Sequence, residues 1–349
     1  RDRTYNGQVP GPEIRVKEGE IIRVVLKNDL PEGTTIHWHG IPLQNIMDGV
    51  PAITQPAVKP GETFTYEFEA RPAGSFLYHS HAGYQLDQGL YGSLIIEPLN
   101  EKTSYDREYT LVLEDWVMKD GGGTARTQRR PSQGMMHGRM PRSRSFGPSE
   151  GPLWEPFYDG YAVNGRVNSA IAPLVVRDGE KIKLRLINAS SATTYFLRLA
   201  GHALTITHSD GTPIRPVDTD VVRIGMGERY DVTFVADNPG SWLLGAYDSG
   251  FGEGGLQIPV IYKGVNRKEP DGPTFHRGLR MATYFDFEAL QPTETPIDRA
   301  DRYYNQSLSG GMHSSYWTIN GQVYPDSDPL IVRQGEWVRL RYGNHSMMS

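Results

Sequence analysis

Two short motifs, His37-Trp38-His39-Gly40 and Tyr78-His79-Ser80-His81, hold four of the ten histidines. Both are His-x-His. In an extended chain, side chains at i and i+2 leave the same face, about 7 Å apart. Each motif therefore aims two imidazoles at one point. Two such strands side by side would converge four nitrogens, which no ordinary core needs. Neutral imidazole suits Cu, Zn, Fe or Ni. One His-x-His pair alone is often incidental, but two, each closing an apolar stretch, point to metal binding. Trp38, between two of the histidines, would face the opposite side and pack.

The elements that must present these pairs read as short strands. Ile182, Leu184 and Leu186 alternate with Lys181, Lys183 and Arg185. Phe64, Tyr66 and Phe68 alternate with Thr65 and Glu67, and Val232 and Phe234 with Asp231 and Thr233. Period-two alternation with one polar face predicts antiparallel sheets packed on one side. With 39 Gly and 25 Pro in 349 residues, the fold class is all-β, a set of sandwiches or barrels joined by turns. The net charge of −5 argues against a general nucleic-acid surface. No run of about 18 apolar residues is present, so no transmembrane helix is expected. The chain opens at Arg1-Asp2-Arg3, which reads as the middle of a mature domain with any leader removed or omitted. There is no cysteine, which excludes disulfides and any site within these residues that needs a thiolate.

One pattern occurs three times. Asn6-Gly7, Asn164-Gly165 and Asn320-Gly321 each precede a Gly-Glu turn (at Gly19, Gly179 and Gly335) and an alternating strand. A period of about 160 residues is too long for a solenoid and fits copies of one domain. The expected boundaries are 1–100, 105–263 and 277–349, with connectors at 119–150 and 264–276. Copy two supplies an internal control. Gly74-Ser75-Phe76-Leu77-Tyr78 leads into His79, whereas Gly240-Ser241-Trp242-Leu243-Leu244 leads into Gly245. Likewise Thr34-Thr35-Ile36 leads into His37, and Thr193-Thr194-Tyr195 into Phe196. The scaffold is kept without the histidines. They therefore serve chemistry rather than folding, and copy two reads as a metal-free spacer. Copy three is expected to be incomplete, because the point matching His37 falls beyond Ser349.

Repeated sandwiches carrying HWHG and YHSH closely resemble the three-domain multicopper oxidases, nearest to the bacterial laccase-like and copper-resistance enzymes. The resemblance spans the whole chain and implies tandem cupredoxin-like Greek-key sandwiches. It also implies a trinuclear copper cluster built by two His-x-His motifs from the first domain and two from the last. By motif position, His37 would hold the type 2 copper, His39 and His79 one type 3 copper, and His81 the other. Asp48, in Met47-Asp48-Gly49, stands where the family has an acidic residue that helps supply protons to O2. Turn chemistry explains an Asp-Gly pair equally well. The implied reaction is one-electron oxidation of a phenolic or similar substrate, coupled to four-electron reduction of O2 to water, in a periplasmic or secreted protein. Three departures stand out: the type 1 cysteine, the HPxHLHG motif and the HCH motif of the last domain are all missing. The chain would then hold half of a trinuclear site and no electron entry point.

Two alternatives are a cuprous oxidase serving copper tolerance and a copper-free cupredoxin-fold structural protein. Retention of all four histidines argues against the second. A mononuclear cupin also uses His-x-His, but adds a Glu soon after the pair, and residues 40–47 hold no carboxylate. Met135, Met136, His137 and Met140 lie in the Gly/Arg/Ser-rich connector, which reads first as a surface loop and second as a soft Cu(I) collection site. His202, His208, His276, His313 and His345 read as structural or exposed, and Met312, Met347 and Met348 as candidate additions to a methionine-lined surface.

Overall fold

The computed structural model describes residues 3–101, 104–117, 158, 160–247, 256–265, 269–291, 299–311 and 314–345. The connector methionines, His137, His313, Met312, Met347 and Met348 lie outside these residues. Among the described residues the regular elements are strands, interrupted by three single 3-10 turns at Asn45–Met47, Asn168–Ala170 and Tyr284–Asp286. The Asn-Gly pairs of the three copies share one backbone shape. Both residues have positive φ each time: 53° and 77° at Asn6-Gly7, 49° and 73° at Asn164-Gly165, 53° and 79° at Asn320-Gly321. Such left-handed turns favour Asn followed by Gly.

One compact unit comprises Arg1–Trp116 and Tyr158–Pro292. It contains two sandwiches of the cupredoxin type. In the first, a four-stranded sheet runs in the order Ile14–Lys17, Tyr91–Glu97, Gly74–His79, His37–His39, and faces the pair Ile21–Lys27 and Thr63–Glu69. Between them lies a core that includes Ile22, Leu26, Trp38, Tyr66, Phe76 and Leu94. In the second, seven strands from Thr212–Thr219 to Arg166–Val167 face six strands from Leu174–Val176 to Met281–Ala282. Residues 269–291, read above as the end of a connector and the start of copy three, run along this second sandwich. Met281–Ala282 pairs with Val221–Val222, and Phe287 packs on the core. The other unit includes Thr293–Ser349 and holds a three-stranded sheet in the order Ser314–Ile319, Arg302–Gly311, Val338–Asn344.

Two expectations from the alternating pattern need correction. The sheets are mixed rather than purely antiparallel: Ile14–Lys17 runs parallel to Tyr91–Glu97, and Lys181–Asn188 parallel to Arg107–Trp116. The polar face of Thr63–Glu69 is solvated as expected, with Glu67 exposed, but that of the second sandwich is not. Lys183, Arg185 and Asp231 are at most 2% exposed, because the first sandwich covers them. Asp231 accepts a hydrogen bond from Ser75 Oγ (2.6 Å) and pairs with Arg185 Nη1 (3.1 Å) and Lys183 Nζ (3.3 Å). Arg185 and Arg15 both reach Glu108 at 2.8 Å. Beside this cluster, Leu77, Tyr91 and Ile95 of the first sandwich pack on Val112, Ile187 and Ala189 of the second. The strand Gly74–His79 is therefore buried on both faces.

Burial opposes ionisation of Asp231, but Arg185 and Lys183 outweigh it and hold the carboxyl below the usual carboxylate range. Removing one partner of a buried ionic cluster leaves the others uncompensated, at a cost of about 3–5 kcal/mol. Asp231→Ala should lower the unfolding free energy by that amount in a denaturant titration. A loss under about 1 kcal/mol, the median for exposed pairs, would show that the cluster is hydrated.

Candidate metal centre

The two motifs meet on neighbouring strands. His37–His39 pairs antiparallel with Gly74–His79, with His37 opposite His79, Trp38 opposite Tyr78 and His39 opposite Leu77. Alternation sends Trp38 the other way, where it is fully buried against Tyr66 and Phe68. The ligand atoms of His37, His39 and His79 all lie within 4.8 Å of one another. The ring of His81 lies 5.4 Å from that of His37 and is stacked 6.1 Å from that of His79, at the exposed edge of the group.

Two backbone carbonyls orient the rings. His37 Nδ1 lies 2.8 Å from Asp48 O, and His79 Nδ1 lies 2.8 Å from Ser80 O. A carbonyl can only accept, so each Nδ1 carries the proton and each Nε2 keeps its lone pair. Asp48 closes the 3-10 turn Asn45–Met47, with its own N–H bonded to Asn45 O. Its carboxylate Oδ1 stands 3.4 Å from the same His37 Nδ1 and is about one-third exposed. Ser80 belongs to a buried knot beneath the site. Ser80 Oγ (2.6 Å) and Thr34 Oγ1 (2.7 Å) both donate to Gln85 Oε1, while Gln85 Nε2 donates to Gly33 O at 2.9 Å. This knot ties the turn after His79 to the segment before His37. The polar residues Thr34, Ser80 and Gln85 went unread in the sequence, where only the spacing of Ser80 between two histidines marked them.

The donor set fits a metal ion that prefers imidazole. His39 Nδ1 and His79 Nε2 are 3.3 Å apart. That separation would let both reach one ion at a metal–imidazole distance of about 2.0 Å. The rings also stay neutral, as ligands must. Burial, reinforced by the Arg229 cation and by His37 and His81, lowers the pKa of His39 to about 4. Burial lowers that of His79 to about 3, against the opposing hydrogen bond to Ser80 O.

Among the described residues, two further histidines bond within the scaffold. His202 bonds Ala200 O (2.8 Å) and Tyr262 Oη (2.6 Å), and His208 lies 3.0 Å from Thr207 Oγ1. His276 is exposed beside Arg277 O. In copy two, the strands matching the ligand strands pair in the same antiparallel sense, with Phe196 opposite Tyr247.

A family model described as multicopper oxidase matches residues 3–101, and a second with the same description matches residues 107–259. The chain is 34% identical to multicopper oxidase MmcO of Mycobacterium tuberculosis, over 99% of this chain and 69% of that protein. It is 34% identical to copper resistance protein A of Escherichia coli, over 66% of this chain and 42% of that protein. Among solved structures, blue copper oxidase from Nitrosomonas europaea superposes with a TM-score of 0.62 at 33% identity, covering 74% of this chain and 79% of that one.

Both depressed imidazole pKa values lie below the ordinary 6.5. Between about pH 4 and 6.5 the unfolded chain binds more protons than the folded one, so stability of the metal-free chain falls as pH drops through that window. Its thermal midpoint should decline from pH 6.5 to pH 4, and His39→Gln with His79→Gln should flatten the decline. Equal slopes in parent and double variant would refute the assignment of neutral, buried rings.

Proposed function

The chain belongs to the multicopper oxidase family, and within it we propose that His37, His39, His79 and His81 hold copper for the reduction of O2. The observation that carries this reading is the convergence of three ligand nitrogens within 4.8 Å. His39 and His79, whose facing nitrogens are 3.3 Å apart, share one type 3 copper. His37 serves the type 2 copper, and His81 the second type 3 copper. Copper supplies the one-electron steps and the binding of O2. The chain's own groups fix the rings and handle protons. Asp48 O and Ser80 O hold the proton on Nδ1 of His37 and His79, leaving Nε2 for the metal. The Asp48 carboxylate, partly exposed and 3.4 Å from the His37 ring, exchanges protons between solvent and the rim of the site.

The overall reaction is one-electron oxidation of four equivalents of reductant, coupled to reduction of O2 to water, outside the cytoplasm in the periplasm or secreted. A phenolic or similar small molecule is the proposed reductant. Cu(I) is the second reading, favoured by the relative named copper resistance protein A. Of the three proposed domains, 1–100 and 105–263 keep their bounds, and the third, expected at 277–349, is proposed to begin after the segment 269–291, which packs on the second sandwich. The type 1 copper, which takes a thiolate, would come from outside these 349 residues, which contain no cysteine.

Copper analysis and oxygen uptake test the proposal together. In a protein that also supplies the type 1 copper and the other two His-x-His motifs, His79→Ala should lower bound copper and abolish uptake with either reductant, and Asp48→Asn should slow uptake at least tenfold with copper content unchanged. Uptake that yields peroxide, or copper content indifferent to His79→Ala, would overturn it. The faster reductant, phenol or Cu(I), decides between the two substrates.

A further inference from the structure

The second sandwich carries no histidine pair, yet one of its turns presses on a ligand. The turn joins the strands Val221–Ile224 and Arg229–Val235. It is closed by its own bonds: Gly225 N–H to Glu228 Oε2 (2.5 Å) and Glu228 N–H to Gly225 O (3.1 Å). Two more tie it to Asn188, from Gly227 N–H to Asn188 O (2.9 Å) and from Asn188 N–H to Glu228 O (3.1 Å). Gly227 closely approaches the His39 ring on its Cε1 and Nε2 side. A Cβ added at Gly227 would stand 2.9 Å from His39 Cε1 and 3.2 Å from Nε2, a space that no larger residue can share. Nδ1 of the same ring faces His79.

Arg229 anchors this contact. It is 4% exposed. Its Nη1 donates to Gly227 O at 2.9 Å and pairs with Asp210 at 3.0 Å, and its Nε donates to Ser75 O at 3.3 Å. Its Nη2 rests on Gly40, where an added Cβ would lie 2.3 Å away. Ser75 is on the strand that ends at His79, and Gly40 follows His39. One guanidinium therefore touches the turn and both ligand strands. A planar fork can do this, whereas an ammonium presents a single point charge.

We propose that the turn Gly225–Glu228, anchored by Arg229, is a positioning element that holds the His39 ring in its metal-binding orientation. The second sandwich then shapes the centre rather than merely spacing it. The inference rests on the copper reading above. Gly227 and Arg229 are positioning residues, since neither offers a ligand to the metal.

The test is a Cu(II) competition titration of the chain against a chelator, with Cu(II) EPR and thermal midpoints on the same samples. Gly227→Ala should weaken Cu(II) binding by roughly 10–100-fold and change the hyperfine splitting. Arg229→Lys should weaken it by roughly tenfold. In a His39→Gln background neither substitution should have a further effect, because the ring through which they act is gone. Equal losses with and without His39, or parent-like affinity and EPR in both variants, would overturn the inference. If Gly227→Ala fails to fold, the Arg229→Lys cycle decides alone. A parent chain that binds no Cu(II) would instead overturn the copper reading, and this inference with it.

Discussion

An imidazole offers a metal the lone pair of one nitrogen while the other keeps the proton, and a fixed acceptor beside the ring decides that division. For His37 and His79 it is settled by two backbone carbonyls, Asp48 O and Ser80 O. Much of the local architecture follows from holding those oxygens still. The 3-10 turn at Asn45–Met47 exists between two strands because it delivers Asp48 to the far edge of His37. The buried amide of Gln85 collects Thr34 and Ser80, so the segment entering one ligand strand and the segment leaving the other move as one piece. Neutral rings, fixed tautomers and a short nitrogen–nitrogen separation thus come from loops with no metal chemistry of their own.

The same strand that ends in His79 is also the seam between the sandwiches. Its residues alternate between two interiors, with Phe76 and Tyr78 in the first core and Leu77 against the second sandwich. Ser75 enters the ion cluster of Arg185 and Asp231. Buried charge is expensive to desolvate and repays that cost only in one geometry. A cluster of this kind is therefore weak evidence of net stability but tolerates little displacement. Here it fixes how the ligand strand lies against the strands Lys181–Asn188 and Arg229–Val235.

The site was legible where chemistry and period coincide. His37, His39 and His79 share a face because strands repeat every two residues, and the same rule sent Trp38 into the core. The comparison of His79 with Gly245 in the second copy separated candidate ligands from scaffold using the chain alone. What stayed hidden depends on partners far away in sequence. Lys183 and Arg185 alternate with apolar residues as a solvated face would, and nothing local marks Ser75 or Glu108 as their partners. The acceptors of the histidine protons are carbonyls, which every residue possesses. Gly227 was visible only as a turn glycine before a strand. The contact that gives it meaning is with a histidine almost two hundred residues earlier in the chain.

The seam imposes an order of events on a chain that is made from its N-terminus. When the first sandwich has emerged from the ribosome, Leu77, Tyr91 and Ile95 still lack the cover of Ile187 and Ala189. The wall behind His39 comes later still, with Gly227 and Arg229. The first sandwich can acquire its topology early and orient His37 and His79 by itself, but His39 meets its wall only once the second has docked. A metal site that uses that wall is therefore complete only after the two sandwiches have docked, although the first carries all four histidines of the motifs.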